Sequence, residues 1–458
     1  MNNGKNMLLR DEEIKAFGLN QLELDCSQII LTPLDPSKKP ISGIGSIFQK
    51  SDGRLHFKIY STIPDNWRLV FPPSTLAGQI IPDKEFYNLE AMDSHGRIWK
   101  SQRPRLDFNS TAYNDFVIIK GIAESISSQQ QLEKPLARSY LNQRFYQSVE
   151  IPANCLTKKS FSVAKQTGRS SSEVNGWKFE SNNYSFLLWT EESVLNLRCH
   201  SSEDNISLPS YFDLRALETI RFITGCPLIW SLQETGSANF AEIILKTKPT
   251  KKSETRLNPP ISYRLIVHAK ETQKLFDLYL AYIKNYPKPE WHPISQHVYA
   301  ILNASGGSLE TEGLTLGVEI EGLAKQELTA HYPKPLGKEI LDKVCEVIEE
   351  SKITQEIKAR VTGFIRSMTG IKAHDVLREL SKKEIISQDL FNKWKKLRNT
   401  SAHSEPLDSS QIQEYLDLCH ANTVLLYHLI FFVIGYRGIY TNYQQHGFPE
   451  ADYNPQIK

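Results

Sequence analysis

Apolar and polar positions alternate along much of the first half of the chain. In residues 54–60, Leu55, Phe57 and Ile59 fall on one face, and Ser51-Asp-Gly53 just before them reads as a hairpin turn. The same period predicts strands at 116–122, 160–163, 176–179 and 184–189, with Gly, Pro, Asn, Asp and Ser punctuating the stretch every eight to twelve residues or so. Short antiparallel strands joined by turns are expected there.

Near Tyr211 the period changes. Leu214, Leu217, Ile220, Phe222 and Ile223 suit an amphipathic helix, after which 227–230 and 240–245 read as strands and 246–256 as a polar surface loop or linker before Pro259 and Pro260. From about Thr272 the helical period dominates, with stripes Leu275, Leu278 and Tyr282; Leu316, Ile320 and Leu323; and Ile340, Val344 and Ile348. The most apolar run, 424–434, is shorter than the roughly 18–20 residues that span a bilayer and is interrupted by His428, which predicts a buried helix. The expected fold is α+β: a β-rich N-terminal sensor or regulatory domain over 1–205, a mixed α/β connecting region over 206–270, and a helical domain over 271–458.

Composition narrows the function. The 458 residues carry 54 Lys and Arg against 52 Asp and Glu, a net charge of +2, so an anionic partner must be met by a local patch. Cys26, Cys155, Cys199, Cys226, Cys345 and Cys419 are scattered, without the pairing of a zinc site or disulfide framework, which suits a reducing cytoplasm. The first residues hold no apolar core of the length a secretory signal needs. No P-loop or H-E-x-x-H occurs, Ile41-Ser-Gly-Ile-Gly45 lacks the third glycine of a dinucleotide fingerprint, and Gly306-Gly-Ser308 lacks the nucleophile-elbow frame. His292 and His297 would diverge by about 140° on a helix. Neither a cofactor, a metal nor a membrane is expected.

One segment carries candidate chemistry: Arg398-Asn399-x-x-x-His403, the one place in the chain where an Arg precedes a His by five residues. Leu390, Trp394 and Leu397 form an apolar helix face, with Arg398 at its border. Thr400, Ser401, Ser404 and Pro406 are expected to stop the helix, and Asp408-Ser-Ser-Gln411 reads as a capping box opening the last helix. A helix end folding His403 back beside Arg398 would join a bidentate phosphate ligand to a base that titrates near neutrality, with Asn399 fixing a phosphate oxygen, His403 or a loop carbonyl. Such a pair can cleave RNA by 2′-OH attack, leaving a 2′,3′-cyclic phosphate, and is inert on DNA. The plain reading is that the cations offset the helix dipole and His403 is a loop residue.

A helical C-terminal region with Arg398-Asn399-x-x-x-His403 ahead of a strongly apolar last helix resembles the HEPN superfamily over roughly 290–445. The segment 78–99, GQIIPDKEFYNLEAMDSHGRIW, resembles the N-terminal domain of the ApeA-type anti-phage HEPN proteins. The resemblance implies an all-α HEPN bundle and a metal-independent endoribonuclease that dimerises to join two Arg–His motifs. It further implies cytoplasmic cleavage of tRNA or mRNA as a toxin in abortive infection, after the N-terminal domain meets a phage-derived trigger. It also implies an acidic or polar residue on an earlier helix, for which Glu321 is favoured over Glu319 on Gly317-Val-Glu-Ile-Glu321. The rival reading is a catalytically silent HEPN module for dimerisation or nucleotide binding, with a β-rich domain recognising a protein or glycan.

Lesser candidates have plainer roles. His374-Asp375 fits a surface pair, the tyrosines of Tyr436-Arg437-Gly438-Ile-Tyr440 fit packing against the bundle better than an RNA-stacking cap, and Trp99, Trp177 and Trp189 fit a core.

Overall fold

The computed structural model describes residues 8–62, 78–113, 116–156, 175–204, 206–249, 257–262, 268–331, 337–366, 372–402 and 408–455. The chain is α+β, with an antiparallel sheet in its first half and helices over its second. It forms two compact units, each discontinuous: 1–209 with 228–253, and 210–227 with 254–458. The stretch 206–270 is therefore shared between them.

The first unit opens with helix α1 (Asp11–Gly18) and strands β1 (Glu23–Pro33), β2 (Ile41–Gln49), β3 (Leu55–Thr62), β4 (Tyr87–Asp93), β5 (Ile98–Gln102), β6 (Arg105–Tyr113) and β7 (Phe116–Ala123). Then come β8 (Ser125–Gln131), β9 (Tyr140–Phe145), β10 (Gly176–Ser181), β11 (Tyr184–Glu191), β12 (Val194–Ser201), β13 (Leu232–Gly236) and β14 (Phe240–Lys246). They make one fourteen-stranded sheet in the order β10-β11-β12-β9-β13-β14-β8-β5-β4-β1-β2-β3-β7-β6. Alternation explains the core: Leu55, Phe57 and Ile59 are buried while Tyr60 is exposed. The strand expected at 160–163 lies outside the described residues. No strand forms at 227–230; Leu228 and Trp230 are buried, but the ladder with β9 and β14 begins only at Leu232.

A buried ionic knot ties α1 to the β4–β5 turn. Arg97 bonds Glu13 at 2.6 Å and Asp93 at 2.7 Å, and the Trp99 indole donates to Asp93 at 2.9 Å. Burial alone would raise the Glu13 carboxyl, but hydrogen bonds from Arg97 and Arg10 hold it down to about 2. Trp99 and Trp177 are core residues; Trp189 is half-buried beneath the Arg198 guanidinium.

The second unit contains α2 (Phe212–Thr224), α3 (Ala269–Ile283), α4 (Pro293–Ala304), α5 (Leu309–Glu327), α6 (Lys338–Glu350) and α7 (Gln355–Arg366). It continues with α8 (Ala373–Lys382), α9 (Gln388–Ala402), α10 (Ile412–Ile434) and the hairpin β15 (Gly438–Thr441) with β16 (Glu450–Tyr453). Although α2 lies in sequence between strands of the sheet, its buried polar groups assign it to the helices. Arg215 donates to the carbonyls of Lys288 and Glu290 at 3.2 and 2.6 Å, Glu218 accepts from Ser295 at 2.8 Å, and Phe222 stacks on Tyr279 with ring centroids 4.4 Å apart. At the C-cap of α2, Gly225 has φ +64°, and a Cβ there would run into the Leu257 backbone.

Two expected stripes are shifted. On α3 the buried face is Thr272, Leu275, Phe276, Tyr279, Leu280 and Ile283, leaving Tyr282 at the margin, where it donates to Glu327 at 2.8 Å. On α6 the buried residues are Leu341 and Cys345, whereas Ile340 and Val344 are exposed. Both helices offer apolar residues on adjacent rows, and packing selects one row. Helix α10, at 23 residues, is long and apolar enough to cross a membrane by length and composition, and 78% of its apolar window is buried inside the fold. His428 sits in that buried run between Tyr440 and Tyr453, its rings 4.7 Å from each, and burial pushes its pKa down to about 3.

Candidate functional site

Two glycines of α5 mark where it meets α9 and α10, and Gly313 is the one that a side chain would crowd. On α5, Gly313 faces the Tyr415 ring of α10, where a Cβ would lie 2.7 Å from Cζ, and Gly317 faces the Arg398 backbone of α9. Trp394, buried with Leu390 and Leu397, donates its indole N–H to the Gly317 carbonyl at 3.3 Å. This contact fixes the register between α5 and α9.

The register brings Arg398 to Glu321. Arg398 Nε donates to Glu321 Oε2 at 2.9 Å, and Lys325 Nζ, one turn further along α5, donates to Oε1 at 2.8 Å. Partial burial pushes the Glu321 carboxyl up, yet the bonds from Lys325 and Arg398 outweigh it and hold the group below the usual carboxylate range. Glu319, two residues earlier, points to another side of α5 and meets His297 Nδ1 at 2.6 Å. The other ring nitrogen of His297 faces Gln326 at 3.1 Å.

Arg398 remains 48% exposed, and its two terminal nitrogens bond no described residue. Asn399 is exposed beside it. Helix α9 does not stop at Thr400 and Ser401: the Thr400 hydroxyl donates back to Lys396 O at 3.0 Å, and Ser401 Oγ lies 2.7 Å from Tyr415 Oη. With their hydroxyls so engaged, the helix continues to Ala402. His403, the next residue, lies outside the described residues, as do Ser404 and Pro406. The Asp408–Gln411 capping box is present, opening a 3-10 turn that runs directly into α10.

No family model, curated protein or solved structure matches the chain.

Two participants had little signal in the sequence. Lys325 could have been found from its i, i+4 spacing to Glu321. The Ser401–Tyr415 contact joins α9 to α10 and has no local signature; beside it, Glu312 is half-buried and desolvation raises its carboxyl. His374 and Asp375 do meet, at 3.4 Å, with Arg378 also on Asp375 at 3.1 Å, at a partly exposed site. Tyr436 and Tyr440 are buried against Phe431 and His428. Among the described residues no group of three or more His, Cys, Asp and Glu could hold a metal ion.

Chemically, the site is a half-exposed guanidinium held from behind by a carboxylate. Its terminal N–H groups bond no described residue, which leaves a donor set suited to a phosphate oxyanion.

Proposed function

We propose that the chain is a HEPN-type, metal-independent endoribonuclease acting as a homodimer. The single observation that carries the reading is the Glu321–Arg398 bond, which uses Nε and leaves both terminal nitrogens of Arg398 for a phosphate, five residues ahead of His403. His403 takes the proton from a ribose 2′-OH as that oxygen attacks phosphorus. The P–O5′ bond breaks, the leaving oxygen is protonated by the second copy's equivalent group, and the products end in a 2′,3′-cyclic phosphate and a 5′-OH. Arg398 stabilises the charge that develops on the phosphoryl oxygens, and Asn399 holds a phosphate oxygen. Glu321, with both oxygens engaged, positions Arg398 and carries no proton.

Dimerisation is supported by the exposed apolar residues Leu314 and Val318, which share the α5 stripe with Glu321 at i, i+4 and i+7. Following the resemblance, the substrate is cellular tRNA or mRNA, the setting is the cytoplasm during abortive infection, and the β-rich unit receives a phage-derived trigger. The rival reading, a silent dimerisation module, is favoured by the same ion pair if Arg398 serves only to tie α9 to α5.

The decisive experiment incubates total cellular RNA with wild type, Arg398→Ala and His403→Ala in EDTA, with end-group analysis and matched DNA. Cyclic-phosphate fragments from wild type alone support the enzyme. Cleavage that survives both substitutions overturns it.

A further inference from the structure

One face of β2, β3, β7 and β6 is built unlike the rest of the sheet. Cross-strand pairing aligns Phe48, His56, Ile122 and Arg105 in one row and Ser46, Lys58, Lys120 and Asp107 in the next. Ile44 and Tyr60 continue the face and are 62% and 40% exposed, while Ile47, Phe57, Ile59 and Ile119 on the opposite face are buried. Over the first two rows lies a cavity of about 650 Å³, to which the β2–β3 turn adds Lys50 and Arg54. Five lysines and arginines thus line it against one acid, Asp107, in a chain whose net charge is only +2.

The arrangement has a cost that a bound anion would relieve. Lys58 and Lys120 are directly opposed across β3 and β7, a like-charge pairing that destabilises a sheet. Among the described residues, Lys50, Arg105 and Lys120 make no ion pair. Flat rings stand between the cations. Phe48 and His56 are within 22° of parallel with centroids 5.8 Å apart, and the Lys58 ammonium lies 4.4 Å from the Tyr60 ring centre. Burial and the neighbouring Lys50 and Arg54 lower the His56 pKa against the opposing pull of Asp52 and Asp107, and its buried Nε2 has no partner among the described residues.

Cations alone would suit any polyanion, and rings alone any apolar ligand; their alternation on one face, around a cavity of ligand size, matches a molecule bearing both phosphate and a stackable base. We propose that this face binds a nucleotide, free or within a single strand, with its phosphate on Lys58, Lys120 and Arg105 and its base on the Phe48 and His56 rings. The site lies wholly within the first unit and does not depend on the ribonuclease reading.

The test is fluorescence anisotropy of the full-length protein with a labelled 2′-O-methyl oligonucleotide, which cannot undergo 2′-OH attack, followed by competition with AMP and ATP. Wild type should bind, with affinity falling as salt rises. The double charge reversal Lys58→Glu with Lys120→Glu should weaken binding more than tenfold and reduce the salt slope by about one to two. Phe48→Ala should weaken binding without changing that slope, and Lys100→Glu, on β5, should leave it unchanged. The milder Lys58→Gln with Lys120→Gln, checked by thermal melting, separates lost binding from lost folding. Displacement by ATP assigns the cavity to a free nucleotide, and displacement only by oligonucleotides assigns it to a strand. No binding of either probe, or equal binding by the folded double variant, overturns the proposal while leaving the Arg398 chemistry to its own assay.

Discussion

Arg398 Nε and Glu321 Oε2, 77 residues apart in sequence, lie 2.9 Å apart across α9 and α5. The contact exists because α9 packs against α5 at Gly317, whose carbonyl accepts from the Trp394 indole, so helix packing rather than the ion pair sets the geometry. An exposed pair of this kind adds little stability; what it supplies is orientation of the guanidinium.

Glu321→Gln keeps the shape and removes the charge. Thermal stability should change by less than about 1 kcal/mol. RNA cleavage should fall about tenfold, equivalent to roughly 1.4 kcal/mol of transition-state stabilisation. The Arg398 Nε–H resonance, protected in wild type, should exchange faster. Glu319→Gln, which breaks only the His297 contact, should leave that resonance unchanged.

The two glycines of α5 should respond differently to a methyl group. Gly313→Ala drives the buried Tyr415 ring away from Ser401 and should cost on the order of 1–3 kcal/mol, less roughly 1 kcal/mol of gained helix propensity. Gly317→Ala meets Arg398 Cα at an ordinary 3.6 Å and should be neutral or stabilising. Denaturant melts of the two variants decide this; equal effects would mean that α5 and α10 are further apart than described.

Two groups withdraw stabilisation in acid, in adjoining windows. His292, the N-cap of α4, accepts from Ile294 N through Nδ1 and must be neutral; burial and Arg215 lower its pKa to about 4. The unfolded chain therefore binds a proton that the folded one refuses, so His292 by itself withdraws on the order of 2–3 kcal/mol as pH falls from about 6.5 to 4, while Glu218, which burial pushes up to about 7, acts in the opposite direction over the same range. Glu13, held down to about 2, contributes stability above about 4.5 that is lost as pH falls toward 2. Urea melts at pH 7, 5.5 and 4 should show the wild type losing stability relative to His292→Asn, which keeps a cap without the titrating ring.

Arg215 is fully buried and pairs with Glu218 at 2.6 Å. Arg215→Ala strands a buried carboxylate and unties the carbonyls of Lys288 and Glu290, so it should cost about 3–5 kcal/mol. Replacing both partners together, Arg215→Met with Glu218→Leu, should cost less than Arg215→Ala alone. A double variant that melts lower than the single one would contradict this account.

Local pattern carried much of the architecture. Period-two runs located β3, β7, β10, β11 and β14, the change of period located α2, and the capping box marked the start of the last helix, because each of these depends on residues within one or two turns of chain. The face of α9 was equally readable: Leu390, Trp394 and Leu397 are buried as their spacing predicts, and the neighbouring Phe391 is buried with them and widens that face. On α6 two rows competed, and the choice of Leu341 and Cys345 over Ile340 and Val344 came from packing with α7. Long-range pairing likewise sent α2 to the helical unit and strands β13 and β14 to the sheet, separating neighbours in sequence by where their polar groups found partners.

The site divides along the same line. Arg398 and Asn399 stood out as a motif, whereas the choice between Glu319 and Glu321 rested on a 200° difference around α5 and on which helix lay opposite. Cross-strand register, too, was needed to bring Lys58 beside Lys120 and Phe48 beside His56. Hydrophobic period is written into each segment because it reports burial of that segment, while the partner of a charge is set by contacts between segments that share no local code.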